Sequence, residues 1–426
     1  MIKYLVFITL IPFMVLAESL QFEISGDAAI LINADTGMIL FEKDSHKPLY
    51  PASVTKIPAV LFALKIKGKN LDETVIAEQE ALGAISQEAK RKSGHKLPAY
   101  WLEPDGLHIG IRKGEVFTYR ELLAACLIAS ANDASNVVAM GISKSIPLYM
   151  EHLNAYLKAI GCKNTHLLNP HGLHHPDHKT TAYDLAVMGC EALKEPFIRE
   201  HAILPRYIRP KTDLQNSATY LHTNALIRKG KSYYANAIGL KTGYHAKAKS
   251  VIMAAAESDG RTLIAVLMGY ADRKKMFEDV KQLFEKAFNQ PKMRKVFLKS
   301  GTQKFTKKIE RGDKPLRTYI KEDFSLEFFP AEDPEVTPQL IWKKPLAAPI
   351  KKDQVVAELQ LVSPQGAIIK KNPLLAEESV NVTWPYSWSR KVPLFLNNHP
   401  VMAVLLLILV ACSLAISTWK VVTHRS

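Results

Sequence analysis

Apolar positions recur along this chain with several different periods, and each period predicts a different element. After Pro51-Ala52-Ser53 they fall at Ile57, Val60, Leu61 and Leu64, the spacing of one helix face, which places Ser53 at a helix start with Lys56 one turn along. Thr118 and Glu121 have the spacing of a capping box and open a buried helix continued by Leu122, Leu123, Ala125 and Leu127. Ser130 and Asn132 then lie where that helix breaks, aimed at a cleft. Ala237-Ile238-Gly239-Leu240 leads through Lys241-Thr242-Gly243 toward the apolar run Val251-Ile252-Met253-Ala254, a pattern that predicts an edge strand. Lys274 to Phe288 reads as a helix that gives way at Asn289-Gln290-Pro291 to a lysine-rich segment. From about Val296 the pattern changes: Gln354 to Val362 alternates, and Ser363-Pro364-Gln365-Gly366 reads as a turn into Ala367-Ile368-Ile369. That predicts a small antiparallel β-domain over 296–385 after a catalytic domain over 18–290. No internal repeat or low-complexity tract interrupts either part.

Both ends carry apolar runs of another kind. Lys3 followed by Tyr4 to Leu16, with the small Ala17 before Glu18, reads as a cleavable signal peptide over 1–17. Val401 to Trp419 is free of charge, and its nineteen positions at ~1.5 Å each span about 28 Å, close to the ~30 Å of a bilayer core. This predicts one transmembrane helix over 401–419. Lys420, His424 and Arg425 follow it as a short cytoplasmic tail, while Arg390 and Lys391 flank the other side, so orientation rests mainly on the signal peptide.

The net charge of +15 and pI near 9.4 suit an anionic partner, a carboxylate-rich wall or acidic lipid headgroups. Nucleic acid is set aside, because an exported chain with no recognition-helix or zinc-ligand pattern lacks the means to read it. With Cys412 in the membrane run, Cys126, Cys162 and Cys190 remain: Cys126 as a buried small hydrophobe, Cys162 and Cys190 as a pair that a disulfide could join. His171, His174, His175 and His178 invite a zinc reading, but Gly172 and Pro176 interrupt them and no Cys or Glu completes a ligand spacing. The segment is expected to be a solvated loop bordering the cleft, with Thr180 or Thr181 capping the next helix.

Three short stretches carry the chemistry: Ser53-Val54-Thr55-Lys56, Ser130-Ala131-Asn132 and Lys241-Thr242-Gly243. Each alone is a common accident. Together, in this order and in fitting local contexts, they make a serine-lysine acyl-transfer site. Residues three apart share a helix face, so the Ser53 hydroxyl and the Lys56 amine can meet. To act as a base, Lys56 must titrate near neutral pH, about three units below its ordinary ~10.4, a depression that burial plus repulsion from Lys241 would supply.

In these motifs the chain resembles the penicillin-recognising serine transferases and, more closely, the low-molecular-weight D-alanyl-D-alanine carboxypeptidases. The resemblance extends to Ala29–Lys56, Asn169-Pro170-His171-Gly172-Leu173, Thr180 to Leu185, Thr223-Asn224-Ala225-Leu226 and Gly239 to Tyr244. It implies an α/β (α+β) transpeptidase/β-lactamase-like catalytic domain followed by the small all-β domain; the single C-terminal transmembrane helix is read from the apolar run itself, since many relatives end in an amphipathic surface helix instead. It further implies that Ser53 attacks the carbonyl between two terminal D-alanines, with Lys56 as base and Ser130 relaying the proton to the leaving amine. Asn132 would hold the substrate amide, and Lys241 and Thr242 the terminal carboxylate beside the small Gly243. The N–H groups of Ser53 and Tyr244 would form the oxyanion hole. No metal or cofactor is implied; the partners are peptidoglycan stem peptides, β-lactams and the membrane, with the catalytic part on the periplasmic side of a bacterial inner membrane. The alternatives on the same site are a D,D-endopeptidase or a β-lactamase, and in another class a catalytically silent wall-binding scaffold. His245 and Ala248-Lys249 depart from the family's usual threonine and Ala-Gly pair, a difference that falls on leaving-group recognition rather than on acylation.

Overall fold

The computed structural model describes residues 20–383, together with Asn398, Val404, Leu405 and Ile408. The expected signal peptide at 1–17, and all but three positions of the apolar run at 401–419, lie outside the described residues. Among the described residues no helix is long and apolar enough to cross a membrane. Contacts divide the chain into two compact units. The first runs to Pro291 and includes Phe329–Glu332; the second comprises Lys292–Phe328 and the chain from Asp333.

A five-stranded antiparallel sheet forms the centre of the first unit, in the order Ile39–Lys43, Ala28–Asn33, Arg261–Tyr270, Lys249–Ser258, Ala237–His245. Every residue of Ala28–Asn33 and Arg261–Tyr270 is buried. Successive side chains of a strand point to opposite faces. Ile30, Ile264 and Val266 accordingly join one core with the helices 56–67, 119–128 and 182–193, while Leu31, Leu263 and Leu267 join another under the helix Arg273–Phe288. A sheet covered on both faces reads as a continuous apolar run rather than an alternation. The strand Ala237–His245 carries Lys241-Thr242-Gly243 and lies at the sheet edge, as its sequence predicts.

The helix Lys56–Lys67 is the hub of the helical part: its residues 56–64 are all buried, and it packs against the helices 119–128, Asn132–Ser143, Ile146–Ala159 and 182–193. The expected capping box is present. Thr118 Oγ1 accepts the Glu121 N–H at 3.2 Å, and Glu121 Oε2 accepts the Thr118 N–H at 2.8 Å. In the first turn of Asn132–Ser143, buried Asp133 accepts the N–H groups of Ile109, Gly110 and Ile111 at 3.1, 2.9 and 3.0 Å, which fastens the preceding loop over that helix start. Asp133→Ala would orphan these donors at about 1–3 kcal/mol each, so urea unfolding of the variant is expected to show a loss of about 3 kcal/mol or more; a loss under about 1 kcal/mol would remove the carboxylate's structural role.

The cysteine pairing is corrected. Cys162 and Cys190 are free thiols, as is Cys126. Cys162, just beyond the helix Ile146–Ala159, directs Sγ to the Asp184 carbonyl at 3.6 Å. Burial pushes the Cys162 thiol up to about 12 and that of Cys190 up to about 11, so both are inert.

The second unit holds an antiparallel sheet in the order Gly301–Lys307, Leu316–Ile320, Ile368–Ala376, Val355–Val362, Thr337–Trp342, with a two-stranded pair Met293–Leu298 and Phe324–Phe328. The turn read at 363–366 closes the hairpin between Val355–Val362 and Ile368–Ala376, with Gly366 N–H donating to the Ser363 carbonyl at 2.9 Å.

Candidate active site

Ser53 sits one step before the place its sequence suggests. It lies half-buried on a 3₁₀ turn, Ala52–Thr55, that runs straight into the helix Lys56–Lys67. Ala52 is held in the left-handed region at φ +47°, which costs a non-glycine residue about 1–2 kcal/mol and needs support from its surroundings. The support is a hydrogen-bond chain. The His178 Nδ1 accepts the Leu168 N–H at 3.0 Å, leaving Nε2–H to donate to Thr55 Oγ1 at 2.9 Å, and the Thr55 hydroxyl donates to the Ala52 carbonyl at 2.8 Å. Thr55→Val keeps the shape and removes both bonds. It is expected to cost about 1–3 kcal/mol and to slow acylation of Ser53, measured by thermal melting and by uptake of labelled penicillin; unchanged uptake would show that this chain does not position the turn.

Lys56 is fully buried, and its Nζ lies 3.2 Å from Ser53 Oγ, 2.7 Å from Asn132 Oδ1 and 2.7 Å from the His171 carbonyl. Burial brings its pKa down to about 7, against a weaker upward pull from Cys126 and Asp133. Burial, and not repulsion from Lys241, is thus the main cause at Lys56. Lys241 is equally buried and held well below its ordinary value by burial first, then by Lys56 and Arg273. Its Nζ donates to Thr223 Oγ1 at 3.0 Å and to the Thr242 carbonyl at 2.9 Å.

Ser130 is the third member of the set. It occupies the break between the helices 119–128 and 132–143, at φ +62°, buried, with an Oγ that has no hydrogen-bond partner. Its hydroxyl is therefore free to take a further hydrogen bond. On one side Asn132 holds Lys56; on the other the Thr223 N–H donates to the Ile128 carbonyl at 3.3 Å while its hydroxyl holds Lys241. Gly243 brings the strand edge against the nucleophile turn: a Cβ there would stand 2.7 Å from the Ser53 backbone N. Tyr244 follows with its side chain 65% exposed.

Three contributors are invisible in local sequence. Arg273, at the start of the helix Arg273–Phe288, donates to the Thr223 carbonyl at 3.1 Å and reaches Thr242 Oγ1 at 3.5 Å, adding a second cation beside Lys241. The His171 carbonyl and the Thr223 hydroxyl also belong to the site. The histidine segment is corrected as well: His171 and His178 are buried, not solvated. His171 donates from Nε2 to the Tyr100 carbonyl at 3.0 Å, accepts the Leu173 N–H at Nδ1, and is held neutral by burial; His178 is pushed down to about 3 for the same reason. Thr181 is the cap of the next helix. Among the described residues no group of three or more His, Cys, Asp or Glu is placed to hold a metal ion. Of the departures from the motif, His245 serves the hairpin between Ala237–His245 and Lys249–Ser258, its Nδ1 accepting the Ala248 N–H at 3.0 Å, while Lys249 reaches outside that hairpin, its Nζ pairing with Asp27 at 3.1 Å.

This arrangement offers a hydroxyl beside a neutralisable amine, a second buried hydroxyl without a partner, and a lysine and an arginine that would gain from an anion. Comparisons with known proteins agree. Residues 14–272 match the family D-alanyl-D-alanine carboxypeptidase, and residues 293–382 match the penicillin-binding protein 5 C-terminal domain. The D-alanyl-D-alanine carboxypeptidase DacF of Bacillus subtilis is 31% identical over 83% of this chain and 85% of its own length, and DacD of Escherichia coli 26% identical over 85% and 90%. Among solved structures, penicillin binding protein 5 of Haemophilus influenzae superposes with a TM-score of 0.58 at 24% identity, covering 85% of this chain and all of that one; DacD of Francisella tularensis does so with 0.58 at 20%, covering 86% and 96%. At those identities the structures speak for the fold alone. The order of the three motifs, the buried lysine beside Ser53 and the family match over more than half of the sequence together show that the chain belongs to the D-alanyl-D-alanine carboxypeptidase family.

Proposed function

We propose that the chain is a serine-type carboxypeptidase that removes the terminal D-alanine from peptidoglycan pentapeptides and is acylated by β-lactams, anchored by 401–419 in a bacterial inner membrane with its catalytic unit on the periplasmic side after loss of 1–17. The single observation that carries the chemistry is the buried Lys56 amine 3.2 Å from the Ser53 hydroxyl, with two further acceptors at 2.7 Å.

Lys56 takes the Ser53 hydroxyl proton as Oγ attacks the carbonyl carbon between the last two D-alanines. The N–H groups of Ser53 and Tyr244 receive the oxyanion, which one such donor typically stabilises by ~10²–10³ in rate. The proton returns through Ser130 to the amine of the departing D-alanine as the C–N bond breaks. Asn132 holds the substrate amide, while Lys241, Thr242 and Arg273 grip the terminal carboxylate, with Gly243 leaving room for the peptide backbone. Water then attacks the acyl-enzyme ester, releasing the shortened peptide and restoring the serine.

The test is incubation of the protein with labelled penicillin and with a peptide ending in D-Ala-D-Ala, beside Ser53→Ala. Label confined to Ser53 with D-alanine release is the expected result, and none with the variant. Rapid loss of label with destruction of the antibiotic would mean a β-lactamase, cleavage of cross-linked dimers in place of D-alanine release an endopeptidase, and no label at all a silent scaffold.

A further inference from the structure

One end of the second unit gathers lysines that form no ion pair among the described residues. A small core of Ile309, Ile350, Val356 and Val380, with Trp342 and Leu346 packed against it, closes that end. Lys308 adjoins Ile309, Lys343 and Lys344 follow Trp342, Lys351 and Lys352 follow Ile350, and Lys307 Nζ lies 4.8 Å over the Trp342 ring. All but Lys307, which is half-buried, are exposed. None of the six forms an ion pair among the described residues. Of the carboxylates at the same end, Glu310, Glu358 and Glu378 pair with Arg311, Lys371 and Lys314, while Asp313, Asp353 and Glu377 accept from the Asn381 N–H at 2.8 Å, the Tyr319 hydroxyl and the Thr302 hydroxyl and keep their charge, so the six lysines outnumber the acids left without an ion pair.

The continuously described chain ends here, at Thr383. Val380 pairs with Ile350, Val382 bridges to Gly312, and the Thr383 N–H donates to the Arg311 carbonyl at 2.8 Å. The seventeen residues 384–400 then lead to the charge-free run at 401–419, a tether of at most about 60 Å even if fully extended. Six ammonium groups without an ion pair are therefore held within reach of whatever surface that run enters. A tether of that length keeps the local concentration of the surface high, which a freely diffusing wall polymer does not share.

We propose that this lysine-bearing end docks on an anionic lipid surface, seating the second unit on the membrane. The proposal rests on the reading of 401–419 as the anchor. Lysines near an anionic bilayer each strengthen binding roughly fivefold, and salt screens the attraction.

The test uses the full chain with vesicles of phosphatidylcholine alone or mixed with phosphatidylglycerol, read first by co-flotation and then by amide hydrogen exchange. Co-flotation with both vesicles is expected, with exchange over 305–309 and 340–353 slowed about fivefold or more only on the mixed vesicles. The slowing should vanish in ~1 M salt, where the Debye length is about 3 Å. It should also vanish in K343E/K344E/K351E/K352E, which still floats, still takes up penicillin and keeps wild-type exchange in Val355–Val362. Absence of co-flotation overturns the anchor and this proposal together. Co-flotation with equal exchange on both vesicles overturns the docking while the anchor stands. Equal or stronger protection by soluble poly(glycerol phosphate) without lipid assigns the surface to a wall polymer and overturns the lipid.

Discussion

Lys56→Gln is expected to slow acylation of Ser53 by penicillin about 10²–10⁴-fold, the usual worth of a positioned general base. At pH 7 an ordinary lysine is neutral in only about one molecule in 2,500. Burial takes the Lys56 pKa to about 7, so near half of the molecules carry a free amine. A neutral amine has two N–H bonds and one lone pair. The Asn132 Oδ1 and the His171 carbonyl, each 2.7 Å away, accept the two N–H bonds, which leaves the lone pair directed at the Ser53 hydroxyl 3.2 Å away. Glutamine can still donate twice but has no basic pair. The wild-type acylation rate should therefore climb about tenfold per pH unit below about 7 and level off above it, since loss of the proton is the activating step. The same depression makes stability rise with pH between about 7 and 10.5, the window in which the unfolded chain binds a proton that the folded one has shed. Second-order acylation constants measured across that range decide the matter. A flat profile between pH 6 and 8, or a variant within tenfold of the wild type, would remove Lys56 as the base.

Much of the site is legible in the sequence, because its key groups belong to local patterns. The Ser53–Lys56 spacing is one helical turn, the Thr118–Glu121 box announces its helix, and Lys241-Thr242-Gly243 interrupts an apolar strand. Arg273 gives no such sign: it opens a helix like any other basic residue, and only the sheet order 39–43, 28–33, 261–270, 249–258, 237–245 brings that helix beside Thr242. Main-chain groups carry no sequence signal at all, so the His171 carbonyl is hidden. The histidine segment misleads for a related reason. Proline and glycine mark irregular backbone, and irregular backbone is usually solvated; here Tyr100, Leu168 and Leu173 satisfy the buried rings instead. Count alone leaves Cys162 and Cys190 as a possible pair, but both thiols are free, and count has no geometry.

A single methyl group at residue 172 is expected to damage both fold and activity. Gly172 is at φ +88°, where a side chain costs about 1–2 kcal/mol. Its added Cβ would also stand 1.9 Å from the Ala52 carbonyl oxygen and 2.9 Å from Thr55 Oγ1. The obstacle is the backbone of the nucleophile turn, which cannot rotate away as a flexible side chain could. If the 172 segment retreats, it draws the adjacent His171 carbonyl off Lys56; if the turn retreats, Ser53 moves from Gly243 and the Thr55–Ala52 bond breaks. Overpacking of this kind adds about 1–3 kcal/mol, so Gly172→Ala should lose about 2–5 kcal/mol in urea unfolding. Misplacement by about 1 Å costs ~10² in rate, and penicillin uptake at a temperature where the variant remains folded should fall by about that factor. Gly161→Ala supplies the comparison, because φ there is +99° and a Cβ would meet nothing within 4 Å. It should bear only the conformational cost of about 1–2 kcal/mol and acylate like the wild type. Equal losses in the two variants, or normal uptake by a folded Gly172→Ala chain, would mean that close contact at residue 172 does not hold the serine in place.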